Sequence, residues 1–396
     1  GNVTSMTEHA GTPQALKSSF THDTYGNITS TRSTGTGVAP VTIYEVYDAA
    51  GRNKIKQYTS PASSVTQYTY DHFGNMLTET DITIQSRPIT RKFTYDGWNR
   101  PLSVTKPDGT AINYIRGWGA VDEYRYFVKS VESDGTTTVT WYDILGRETL
   151  VRSSAPGDIT VAKASRHGIN GLVSLIENHT GSLYTTTSYA YDRRGRIVSE
   201  SFSNGKSRNY SYGNRSVTTD KNGRLRTVVN DAWGNVKSST DPVSSVTYTY
   251  NSNGYPSKAS SSGSTVTMAY DGAANRISMN DPDAGTTTYT YAADGSVLSQ
   301  TDARGVTLTN TYDNLGRLSQ RMTGDITTDY TYGTEGNSLN RLVRESVTGA
   351  AIAYTYDAYG RVLTTSHELA AKGTFTVTNE YNTDGQLSKA TYPGGL

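Results

Sequence analysis

The 396-residue chain contains no cysteine, which excludes disulfides, thiolate metal sites and a cysteine nucleophile together. The compartment stays open, because a cysteine-free chain suits oxidising and reducing surroundings equally. No apolar run reaches the length of about 18 residues that a membrane-spanning helix needs. Aliphatic residues are scarce: 34% of the chain is hydrophobic and the mean hydropathy is -0.58, so large aliphatic clusters cannot fill a thick interior. Excess charge is missing too. With a net charge of +1, a pI near 7.9 and no basic block, there is no electrostatic ground for a nucleic-acid or anionic-membrane partner.

What the chain does have is Thr, Ser, Gly and 30 Tyr. Tyr and Thr suit pleated, half-buried surfaces, which predicts a chain that is mostly β. No segment keeps apolar residues at i, i+3, i+4 and i+7, so no long helix is expected, and 164–178 is the one place for a helical turn or two.

One short word recurs throughout. Its cleanest copy is Tyr189-Ala190-Tyr191-Asp192-Arg193-Arg194-Gly195-Arg196-Ile197. Strong copies hold Tyr47, Asp48, Gly51 and Arg52; Tyr70, Asp71 and Gly74; Tyr142, Asp143, Gly146 and Arg147; Tyr312, Asp313, Gly316 and Arg317; and Tyr356, Asp357, Gly360 and Arg361. Weaker copies begin at His22, Tyr95, Tyr212, Asn230, Tyr250, Tyr270, Tyr291, Tyr332 and Tyr381, and the register blurs at 114–131 and 155–185. Successive glycines lie roughly 20 to 25 residues apart, room for two strands and two turns, so each repeat should be one β-hairpin. Composition does not shift along the chain and no linker stands out. Residues 1–396 therefore read as a single hairpin array, and with Gly at residue 1 an array truncated at both ends.

The spelling of the word has physical reasons. Asp suits the first position of a type I turn, where its carboxylate accepts from amides two residues on. Gly supplies the left-handed residue of a three-residue hairpin loop with a bulge. If Arg193, Arg194 and Gly195 form the loop, Asp192 and Arg196 flank it as a cross-strand pair and Tyr191 faces Ile197. Alternation then puts Tyr189, Tyr191 and Ile197 on one face and Asp192, Arg196 and Val198 on the other. The position two after Gly is apolar in Ile28, Met76, Ile197, Val236, Val297, Leu318, Val362 and Leu387. An aromatic stripe backed by a stripe of Asp and Arg is expected.

The far ends of the hairpins carry turn signals at Lys106-Pro107-Asp108-Gly109, Ser203-Asn204-Gly205, Asp281-Pro282-Asp283-Ala284-Gly285 and Asp302-Ala303-Arg304-Gly305. Hairpin follows hairpin without a crossover, which predicts one long antiparallel sheet. About 16 repeats with strands about 4.8 Å apart would extend on the order of 150 Å. So wide a sheet is expected to curl into a spiral, a hollow shell or open barrel that side chains cannot fill.

These words resemble the YD repeats of bacterial Rhs proteins, wall-associated polymorphic toxins, insecticidal toxin-complex B/C components and, more distantly, animal teneurins. The resemblance runs from about Asp23 to Leu396. It implies a β-hairpin spiral closing into a shell that, in the bacterial members, encapsulates the toxin domain of the same precursor, and it implies a secreted or cell-surface protein. The spellings at Asp48–Arg52 and Asp357–Arg361 are nearer to bacterial Rhs proteins than to teneurins. In Rhs proteins an Asp-Pro-x-Gly-Leu core carries aspartyl autoproteolysis. This chain ends Tyr392-Pro393-Gly394-Gly395-Leu396 without the Asp, so that activity is not carried over.

No catalytic, cofactor or metal residues emerge beside these structural signatures. His9, His22, His72, His167, His179 and His367 lack metal spacing. The repeated carboxylates sit where every hairpin needs them, and Asp281 to Gly285 lacks the acidic ladder and distal Glu of a calcium loop. Trp98, Trp118, Trp141 and Trp233 share no place in the repeat, so packing accounts for the aromatics better than sugar stacking does. The expected function is a structural shell without catalysis, with an adhesive or glycan-binding array as the alternative. Open sheet edges also leave room for self-association.

Overall fold

The computed structural model describes every residue except 40, 61–63, 84–87, 121–123, 156–158, 181, 383–384 and 395–396. Pro156-Gly157-Asp158 of the irregular stretch 155–185, Asp384 of the last repeat word and the terminal Gly395-Leu396 lie outside the described residues. Among those described, the chain is all-β, with 35 strands in one antiparallel sheet and a single 3-10 turn at Gly336–Ser338. The helical turn expected within 164–178 is absent: Ile159–His167 and Val173–Thr180 are strands paired antiparallel with each other. The run Leu172 to Ile176 lacks a helical stripe longer than one turn, and the hairpin ladder wins.

Two compact units are present, one made of 1–110 with 268–396, the other of 111–267. Inside each, a strand pairs with the next in the chain. The strand faces differ as alternation dictates. In Gly285–Tyr291 and Ser245–Tyr250 the tyrosines are half-buried and the threonines between them exposed. The threonine face is crossed by hydroxyl pairs, Thr69 to Thr78 at 2.6 Å, Thr290 to Ser299 at 2.6 Å and Thr355 to Thr364 at 2.7 Å. Tyr-Thr-Tyr is thus the spelling of a strand with an aromatic side and a hydroxyl side.

A compact globular chain of 43.0 kDa would expose about 15,000 Å², and this one exposes 24125 Å². Buried apolar side chains among the described residues are few: Trp141 and Ala162 in one unit, Ala292, Ala293 and Ala351 in the other. The alanines at 292 and 293 explain a departure from the repeat spelling. Their hairpin tip is seated on the turn at 35–38, where Ala293 N–H donates to the Thr36 carbonyl at 2.8 Å. A Cβ at Gly37, whose φ is +75°, would stand 2.8 Å from Ala292 Cβ. Glycine there and alanine in place of Asp at 292 let two backbones approach.

Candidate functional site

The tip recurs from repeat to repeat, and its geometry follows from the word. Gly195 N–H donates to the Asp192 carbonyl at 3.0 Å, Asp192 N–H to the Arg196 carbonyl at 2.9 Å, and Gly195 has φ +77°. Arg193, Arg194 and Gly195 are the loop, and Tyr191 pairs with Ile197. The same pairing recurs as Tyr70 with Met76, Tyr291 with Val297, Tyr312 with Leu318 and Tyr356 with Val362.

The Asp carboxylate is saturated. Asp192 Oδ1 accepts from the Arg194 and Arg196 amides at 2.8 and 3.0 Å, and Oδ2 from Arg196 Nε at 2.7 Å. The Arg196 amide is the main reason that its carboxyl lies below the usual range, its effect outweighing burial. Asp143, Asp313 and Asp357 repeat this with Arg147, Arg317 and Arg361 at 2.7, 2.7 and 2.5 Å. Burial pushes these three carboxyls up, and the arginine bonds together hold them down. Asp48 differs: Arg52 gives only its backbone N–H, at 2.9 Å, and Asn53 Nδ2 takes the guanidinium's place at 3.0 Å because the loop is one residue longer. Asp71 uses Asn75 Nδ2 at 2.9 Å. A carboxylate so occupied stays ionised and is a poor general acid.

Two expectations need correction. Glu200 pairs directly with Tyr189, so Val198, two residues earlier, lies on the tyrosine side and not with Asp192 and Arg196. The cause is a one-residue slip of register beside the tip, which breaks the alternation. The charged and aromatic stripes are also not kept apart. The Arg196 guanidinium lies over the ring of Tyr212 in the next repeat, 4.1 Å from its centroid, and Arg317 and Arg361 lie over Tyr332 and Tyr381 at 4.1 and 4.4 Å.

A second contact joins repeat to repeat, and it is invisible in the word. Tyr212 Oη donates to the Ile197 carbonyl at 2.7 Å, Tyr250 to Val236 at 2.7 Å, Tyr312 to Val297 at 2.8 Å, Tyr332 to Leu318 at 3.0 Å and Tyr356 to Leu342 at 2.5 Å. Tyr191 and Tyr70 do the same to Val173 and Lys54, at 2.7 and 2.9 Å. In the 191 repeat the reason can be followed. The register slips at Tyr191, and pairing with the next strand reaches only to Ser199 opposite Asn209. The Ile197 carbonyl therefore has no ladder partner on that side, and the next repeat's hydroxyl supplies one. Tyr47 departs from the rule, donating to its own strand's Glu45 at 3.0 Å, and Tyr142 sets its ring 6.0 Å from Tyr126.

The weak copy at Tyr332 is longer than its spelling implies. Its tip holds the 3-10 turn, and the left-handed residue before the arginine is Asn340, φ +61°, so Arg341 and not the residue after Gly336 lies over the next tyrosine, Tyr356, at 5.5 Å. No groups of three or more His, Asp or Glu that could hold a metal ion are present among the described residues, and no helix is long and apolar enough to cross a membrane.

Residues 227–394 match the teneurin YD-shell family and residues 46–82 the RHS repeat. No curated protein sequence matches the chain. A crystal structure of TcdB2-TccC3-Cdc42 aligns with 96% of this chain at 14% identity and a TM-score of 0.58, over 23% of its own length. The chain thus spans about a quarter of that structure. A TcdB2-TccC3-TEV crystal structure and the Photorhabdus luminescens Tc holotoxin pore align over the same 96%, at 11% and 12% identity, covering 32% and 25% of those chains with TM-scores of 0.42 and 0.39. The hairpin array, its tip chemistry and the two family matches agree: the chain is an array of β-hairpin repeats of the Rhs/YD kind.

Proposed function

We propose that the chain is a stretch of shell wall that encloses the toxin polypeptide of its own precursor outside the cell, with no catalysis of its own. The observation that carries this reading is the junction between repeats. Tip tyrosines such as Tyr212, Tyr250 and Tyr356 reach back to the preceding repeat, several tip arginines reach forward, and the signature Asp carboxylates close their own turns. The word's chemistry builds continuity. Few side chains are buried among the described residues, so a sheet of this kind bounds a space better than it fills one. The test is single-particle imaging of the full precursor: a wall of hairpins surrounding separate density is expected, and a wall packed against itself with no enclosed density would overturn the proposal.

A second reading rests on a different observation. Phe73, Trp98 and Trp233 stand at hairpin tips with 66%, 78% and 89% of their surface exposed, and exposed rings can stack on sugars. A glycan array that shows binding lost in Trp98→Ala and Trp233→Ala would favour adhesion. No binding at all would leave the shell reading in place.

A further inference from the structure

In the unit formed by 111–267, one row of directly paired positions crosses four strands. Glu200 pairs with Arg208, Arg208 with Lys221, and Lys221 with Arg224. The row continues from Tyr189, which pairs with Glu200, so it lies on the tyrosine side of the sheet. Three cations therefore stand side by side, and like charges directly opposite each other destabilise a sheet. The closest of them, Lys221 and Arg224, flank the two-residue turn Asn222-Gly223, which holds them facing each other.

The local carboxylates do not neutralise the row. Glu200 holds Arg208 at 3.0 Å. One pair further along the same face Arg226 gives its Nε to Ser239 Oγ at 2.9 Å, and Asp241, whose Oδ1 is bound by the Val243 and Ser244 amides, lines the same groove as Arg226. The Lys221 and Arg224 side chains have no hydrogen-bond or ion-pair partner among the described residues. Arg208, Lys221, Arg224, Arg226 and Asp241 line a groove of about 770 Å³ together with Tyr210 and the apolar Pro242 and Val243, the last 94% exposed. Four cations, one carboxylate and an apolar rim make a site for an extended acidic segment that also carries apolar side chains. A bare inorganic anion would use only the cations.

We infer that the groove around Arg208, Lys221, Arg224 and Arg226 binds an acidic, apolar-bearing polypeptide segment through the unpaired Lys221 and Arg224. The inference rests on the proposed enclosing role for the source of that segment. The bound carboxylates remove the like-charge conflict that the row otherwise carries. Lys221 and Arg224 point to this role because no described residue pairs with their charge.

The experiment is fluorescence anisotropy of a labelled peptide of alternating Glu and Leu, about ten residues long, titrated with the whole chain. Binding is expected, falling with added salt and weakening about tenfold or more in Lys221→Thr/Arg224→Thr. The control Arg193→Thr/Arg194→Thr, at a tip outside the groove, should bind as the unaltered chain does. The groove variant should melt no lower than the parent, since it relieves a like-charge pair, which separates lost binding from lost folding. Failure of the peptide to bind, equal binding by the groove variant, or equal binding of an alternating Gln and Leu peptide would overturn the inference, as would displacement by inorganic phosphate at an equal concentration. The assay uses this chain alone, so a negative result removes the groove and leaves the enclosing role untouched. Loss of enclosure in the precursor with peptide binding intact would do the reverse.

Discussion

Ala274 occupies the left-handed position that most tips give to glycine, with φ +69°. A Cβ in that conformation costs roughly 1 kcal/mol or more, because it crowds the carbonyl beside it. Ala274→Gly is therefore expected to raise stability by about 1 kcal/mol, and Gly195→Ala, at φ +77°, to lower it by a similar amount; urea unfolding of the two variants checks both signs. Asp96 is the strongest case of the turn carboxylate. Arg100 donates Nε to it at 2.7 Å, and that bond more than anything else holds its carboxyl down, from the ordinary 3.8 to about 2. A depressed folded-state value means that its contribution is complete above the unfolded value and disappears as pH falls through the folded one. Stability should drop between pH 4 and pH 2, and Asp96→Asn should show a shallower drop in an acid titration of the unfolding midpoint.

The hairpin and its junction are where sequence reading succeeded and then stopped. Asp192, Gly195 and Arg196 announce their turn because each answers a local requirement: an amide acceptor, a left-handed residue and an ion-pair partner. Tyr191 facing Ile197 follows from that turn by counting. The bond from Tyr212 to the Ile197 carbonyl could not be counted, since it depends on a register slip that leaves a carbonyl free one strand away. Asn222-Gly223, a two-residue hairpin turn with Lys221 and Arg224 on its flanks, is a readable hairpin signal that lies outside the longer word. The hydroxyl bond is testable by itself. Tyr250→Phe and Tyr356→Phe should each cost about 1 kcal/mol, the net worth of a lost hydrogen bond with the ring retained. The two sit in different units, so the double variant should show the sum.

An array in which each hairpin touches mainly its chain neighbours has a stability built from local terms, and exceptions to that rule are informative. The tip at Ala292 and Ala293 meets the turn at 35–38, far away in sequence. Gly37→Ala would place a Cβ 2.8 Å from Ala292 Cβ in a left-handed conformation and should destabilise by about 2 kcal/mol. Amide exchange should quicken around 35–38 and 291–296 and stay unchanged within 111–267. Two alanines at a tip looked like a weakened repeat; they are a repeat fitted to a second contact.

The claim that these junctions make a wall is tested most directly by protease digestion of the full precursor, followed by mass spectrometry of the polypeptide it is proposed to enclose. That polypeptide should survive intact while the wall is folded and be cut rapidly once denaturant opens the wall. Digestion at the same rate before and after the wall unfolds would contradict the account.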